Sequence, residues 1–208
     1  MIGDSKRAWY RSGVFAGLAT SACIAFAPQV DGQSGTAPQY APNGKLLAPV
    51  GFETWVFVGS NLGLAYKQGL PAMTASESAR ADQPRFHNVY INPEAYAHFL
   101  ATRNFPERTV LVMENFAAAD KEPKGILANG AFNGERVGLE VAVKNSSRPD
   151  GQPTPWAYYV LTDPADPSKV KASASAFPDQ ACEGCHRQHA SMDNVWVQFY
   201  PTLRKLIK

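Results

Sequence analysis

The sequence predicts an α+β fold, mainly an antiparallel β-sheet with a few flanking helices. Two observations carry this. Several short segments alternate apolar and polar residues with a period of two, as half-buried strands do. Sixteen glycines and sixteen prolines are spread along the 208 residues, supplying the many turns that short antiparallel strands need. Helical patterning is confined to one segment in the middle of the chain and to the C-terminal part.

The chain opens with a basic stretch, Lys6, Arg7 and Arg11, followed by an uncharged apolar run over residues 12–27. Ala25-Phe26-Ala27 has the small-x-small form of a cleavage signal, so residues 1–27 are expected to be a secretory signal peptide, with an approximate boundary because Pro28 follows. That implies export to a bacterial periplasm. The run is too short for a membrane span, and no other stretch is long enough. Thr20-Ser21-Ala22-Cys23 lacks the branched aliphatic residue of a lipoprotein signal, so Cys23 is expected to leave with the signal peptide rather than carry a lipid anchor. Residues 28–44, rich in Gly, Pro and Ser, are expected to be a flexible lead-in, with the domain occupying 45–208.

Residues 54–59 hold Trp55, Val56, Phe57 and Val58, a first strand. Residues 69–84 are polar with few apolar anchors and read as a loop. Residues 86–91 form a second strand, ended by Asn92-Pro93. That pair also begins a helix: Asn92 suits the N-cap, Pro93 the first turn, and Glu94 the positive end of the dipole. Tyr96, Phe99 and Leu100 place an apolar face on it, and it ends before Pro106. Residues 109–114 alternate, with Leu111 and Met113 on one face and Val110 and Val112 on the other. Residues 138–144 set Leu139, Val141 and Val143 against Glu140, Ala142 and Lys144. Residues 156–161 are aromatic and β-branched. Residues 179–208 are expected to be helical around a motif discussed next, with a terminal helix after Pro201.

The formal net charge is only +2 and no basic stripe stands out, which argues against a nucleic-acid partner. The chemistry lies in Cys182-Glu183-Gly184-Cys185-His186, the C-x-x-C-H pattern of covalent haem attachment. On one helical turn two thiols can reach two haem vinyl groups, and the adjoining histidine can bind the iron. A thioredoxin-like pair would open a helix in a βαβ setting, which the pattern lacks. A structural zinc site would need four ligands, and a plain disulfide would leave His186 unexplained. One motif means one covalent haem c near the C-terminus, with His186 as the iron ligand. The sixth iron position decides the function: a Met or His there gives an electron carrier, and an open position gives ligand binding or catalysis. His98 falls off the apolar stripe of its helix, His189 is too close to His186, and Met192 suits the core. Met73 stands in the polar loop. His87 and Met113, on expected strands, are the stronger candidates.

These residues resemble the cytochrome P-460 family, which includes the β-type c-prime cytochromes. The resemblance covers about residues 44–206. It rests on Trp55-Val56-Phe57-Val58-Gly59, Val89-Tyr90-Ile91-Asn92-Pro93-Glu94, Thr109-Val110-Leu111-Val112-Met113-Glu114, Gly138-Leu139-Glu140-Val141-Ala142-Val143-Lys144, the haem motif, and Asp193 with Phe199-Tyr200-Pro201. The resemblance implies a mostly antiparallel β fold, a homodimer, and a five-coordinate haem c. One branch of the family bonds a lysine amine to the porphyrin and oxidises hydroxylamine. The other lacks that bond and binds nitric oxide and similar gases. The cross-linking lysine aligns with Met113, whose thioether cannot form a nitrogen–carbon bond, so the gas-binding branch is the leading expectation. Met113 then lies at the ring edge. Glu140 aligns with the carboxylate that accepts protons in the hydroxylamine chemistry; by its strand pattern alone it is equally a solvent-facing residue. His87 aligns with a position held by arginine in at least one branch. Phe86 and Phe132 are candidates to cap an apolar pocket, and Lys144, on the face of Glu140, is a conceivable substitute amine. A six-coordinate electron carrier remains the third reading.

Overall fold

The computed structural model describes residues 35–65, 83–120, 126 and 130–207. The expected signal peptide with Cys23, the start of the lead-in, and most of the 69–84 loop with Met73 lie outside these residues. The described residues belong to one compact unit.

Its centre is a five-stranded antiparallel sheet in the order β2-β3-β4-β5-β6. The strands are β2 (Val56–Leu62), β3 (Arg85–Ile91), β4 (Val110–Ala119), β5 (Phe132–Lys144) and β6 (Trp156–Val160). Two-residue strands β1 (Leu46–Leu47) and β7 (Ser173–Ala174) pair with each other, and among the described residues three α-helices join them: α1 (Pro93–Thr102), α2 (Glu183–His189) and α3 (Pro201–Arg204). The expected α+β class is what the structure shows. The described part of the lead-in is tied down: Leu47 N–H donates to the Gln39 carbonyl at 2.8 Å, and Tyr40 packs on the core.

Alternation along the strands gives the sheet two faces. One carries Val110, Val112, Leu139, Val141, Val143, Ala157 and Tyr159 and packs against Leu46, Phe52, Trp55 and Ala174. The other carries Val89, Ile91, Leu111 and Trp156 and packs against α1 and the C-terminal segment, through Phe99, Val195, Val197, Tyr200 and Leu203. Phe99 stacks on Phe105, ring centroids 4.6 Å apart, and Phe105 meets the edge of the fully buried Trp156. Each such ring contributes about 1.5–3 kcal/mol of burial. Gly59 lets the C-terminal segment close on β2: a Cβ there would stand 2.9 Å from Pro201 Cδ.

Two local expectations are corrected. Asn92 stands at the N-cap of α1, but its side chain makes no capping bond. Its Oδ1 accepts from Val110 N–H at 2.8 Å and its Nδ2 donates to the Arg108 carbonyl, so it ties the helix start to β4. Leu100 is exposed; Ala95 and Phe99 form the buried face instead. Strands β4 and β5 also run further than their alternation suggested, because each borrows hydrogen bonds from the other.

Candidate functional site

The motif helix α2 is held at its start by a buried cation. Arg148, whose side chain is 1% exposed, bonds Asp179 at 2.7 Å, Asp150 at 2.6 Å and the Trp156 carbonyl at 2.7 Å. Asp179 also accepts from Thr154 Oγ1 at 2.7 Å, and its carbonyl takes Gly184 N–H at 3.1 Å, which opens the turn carrying Cys182. Cys182 and Cys185 are three residues apart on this turn, so they share a face. Both are partly exposed, and burial raises the pKa of Cys185.

His186 is fixed more tightly. Its Nδ1 lies 2.8 Å from the Asn194 carbonyl, which can only accept, so Nδ1 carries the proton and Nε2 the lone pair. Trp196 Nε1–H donates to that Nε2 at 3.2 Å. Tyr158 tilts against the imidazole, centroids 4.3 Å apart, and its hydroxyl also reaches the Asn194 carbonyl. Burial lowers the His186 pKa, with the Asn194 bond opposing the shift, so the ring is neutral at ordinary pH. A neutral imidazole with an oriented Nε2 lone pair is what a metal ligand requires. Asp193 and Asn194 make the turn that delivers the carbonyl, both in left-handed backbone with φ 44° and 61°. Asp193 is anchored by Lys144 Nζ at 2.7 Å and by Trp156 Nε1–H at 3.1 Å; Asn194 Nδ2 donates to the buried Glu183 at 3.2 Å. Lys144 is thus engaged with Asp193 and with the Phe105 carbonyl at 2.8 Å, which argues against its serving as a substitute amine.

The same sheet face carries the other candidates. His87 stands opposite Asn115, Met113 opposite Glu140, and Glu140 opposite Val160. A cavity of about 500 Å³ opens here, lined by Asn115, Gly138, Glu140, Val160 and Thr162, with Arg85 and Lys171 contributing charge. Its wall includes Phe177 and Pro178, which run into the motif. Glu140 is therefore half-buried beside a cavity, not solvent-facing, and accepts from Asn115 Nδ2 at 2.9 Å. Its charge, after burial, raises the pKa of Tyr200. His87 has its pKa lowered by burial and by Arg85. Met113 packs against the apolar cluster of this face.

Phe86 alternates to the opposite face and Phe132 is 49% exposed, so neither caps the cavity. His98 is exposed and Met192 packs against the core, as expected; His189 is exposed as well. Sequence reading missed Asn115, Arg85, Lys171 and the Asn194 carbonyl. Asn115 was recoverable: it continues the Leu111, Met113 alternation by one step.

The residues fit a haem. The two cysteines share a helical turn, the imidazole presents Nε2, the cavity has room for a flat apolar group, and Arg85 and Lys171 suit its carboxylates. Among the described residues no three His, Cys, Asp or Glu side chains converge as a metal site made of protein ligands alone would require. No helix of the described residues is long and apolar enough to cross a membrane.

A family model, Cytochrome P460, matches residues 49–197. No curated protein matches the chain. The family match spans most of the chain, which therefore belongs to the cytochrome P460 family, and membership implies a haem cofactor.

Proposed function

We propose that this cytochrome P460 family member is an exported, periplasmic mono-haem c-type cytochrome whose five-coordinate iron binds nitric oxide or a related small nitrogen species. Cys182 and Cys185 would hold the haem through thioether links, and His186, whose Nε2 lone pair is oriented, would be its iron ligand. When bound, the haem supplies an iron that can take a small ligand and exchange electrons with it.

The observation that carries the reading is the state of His186: a neutral ring, aimed through Asn194, with Nε2 as the only basic atom. The cavity beside Glu140 and Asn115 supplies the ligand space. Met113 has no N–H to bond the porphyrin, which supports the branch without a cross-link. The chain acts as a homodimer in this reading.

Glu140 favours a second reading, oxidation of hydroxylamine. A carboxylate held by Asn115 in a half-buried cavity is placed to accept a substrate proton.

The test is the optical spectrum, ferric and then reduced, of protein matured in a host that attaches haem c. A high-spin c-type spectrum is expected. A strongly red-shifted reduced Soret band would mean that an amine has joined the ring, and a low-spin ferric spectrum would mean a sixth protein ligand; either overturns the proposal.

A further inference from the structure

Glu183 is the second residue of the C-x-x-C-H motif, a position that the haem linkage itself leaves open, yet it is only 3% exposed. Glutamate is rarely buried this deeply without a partner to hold. Its Oε1 accepts from Asn194 Nδ2 at 3.2 Å. Arg187 Nε stands 3.9 Å from the same oxygen, beyond hydrogen-bond range, on a side chain that is 65% exposed. Asn194 is therefore the closer partner of this carboxylate.

Asn194 works at both ends. Its side chain is on Glu183, while its backbone carbonyl takes the His186 Nδ1–H at 2.8 Å and the Tyr158 hydroxyl at 3.3 Å. Glu183 and His186 lie three residues apart on α2 and so share a face. The helix that carries His186 thus reaches out through Glu183 and draws in the carbonyl that orients its own imidazole. Asp193 ties the same turn to the sheet, through Lys144 and Trp156. Only Glu183 registers it against the helix.

We propose that Glu183 is a positioning residue for the iron ligand, holding the Asn194 carbonyl on the Nδ1–H of His186 and so strengthening Nε2 as a donor. A hydrogen bond to the far nitrogen of a ligating imidazole fixes the ring and raises its basicity. A stronger donor favours ferric over ferrous iron, so Glu183 lowers the potential of that one-electron couple.

The inference rests on the five-coordinate haem c reading, and one set of spectra separates the two. Haem-matured wild type, Glu183→Gln, Glu183→Ala and Glu183→Leu are compared. Resonance Raman of the ferrous proteins reads the iron–histidine stretch, and redox titration reads the midpoint potential. Gln keeps an acceptor for Asn194. Ala and Leu remove it, and because Leu keeps the volume, either carries the test if the other fails to fold. Both are expected to lower the stretching frequency and to shift the ferric–ferrous equilibrium toward ferrous by about tenfold, about 59 mV for one electron. Gln is expected to restore the wild-type frequency. Unchanged frequency and potential in Ala and Leu, with only the yield of haem-loaded protein reduced, would make Glu183 purely structural and overturn its role while the haem reading stands. A Gln variant whose frequency falls as far as that of Ala overturns the role as well. A ferrous wild type that is low-spin and shows no iron–histidine band overturns both.

Discussion

Asp193 joins the sheet to the turn that aims His186, and its removal has a calculable cost. Its Oδ1 accepts the indole N–H of Trp156, whose residue is fully buried, at 3.1 Å, and its Oδ2 pairs with Lys144 at 2.7 Å. In Asp193→Ala, an indole N–H without an acceptor costs about 1–3 kcal/mol. Loss of the ion pair, whose side chains are 18% and 35% exposed, adds only about 0.2–1 kcal/mol because water screens it. Alanine also tolerates the left-handed backbone at φ 44° less well than Asp, by about 1 kcal/mol. The sum is about 2–5 kcal/mol, or roughly 4–20 °C in melting temperature for a chain of this size. Asp193→Asn keeps an acceptor and tolerates the same φ, losing only the charge, so it should melt within about 4 °C of wild type. Thermal melts of the three proteins, prepared identically, measure both. If the two variants melt together, the indole bond and the backbone do not anchor this turn and the reasoning fails.

Two further outcomes follow from the cavity side of the sheet. Glu140→Gln still accepts the Asn115 amide and should fold normally, but any hydroxylamine oxidation should slow by about 10²–10⁴-fold, read in a steady-state assay with an added electron acceptor. An unchanged rate would remove Glu140 as base. His87 has a folded-state pKa below its ordinary 6.5, from burial and then Arg85, so the folded state binds fewer protons than the unfolded one. Its contribution is present above pH 6.5 and is lost as pH falls through the lowered folded value. The melting temperature of wild type should therefore drop between pH 7 and 5 more steeply than that of His87→Gln, and parallel curves would contradict this.

Much of this architecture is local in origin and so legible from sequence. The two faces of β4 and β5 follow from alternation around Met113 and Glu140, and Pro93 marks the start of α1 because its ring fits only a first turn. The motif at Cys182 identifies itself by spacing. What escaped is set by partners distant in sequence. Ala118 and Asn133 have weak strand preference and pair only because each finds the other across the sheet. Asn92 looked like a cap, but the Val110 N–H was the stronger claimant. The Asn194 carbonyl carries no side-chain signature at all; its role comes from a left-handed turn eight residues after His186. The cavity itself depends on the bulge opposite Asn115, which no periodicity announces.

The central claim is one haem held by Cys182, Cys185 and His186, open to a small ligand on its other side. The rate at which the reduced protein takes up nitric oxide, followed by rapid mixing over rising concentrations, tests it most directly. An open site predicts one nitric oxide per chain and an observed rate that climbs linearly with concentration. A rate that levels off would show a protein side chain leaving the iron first, and would contradict the account.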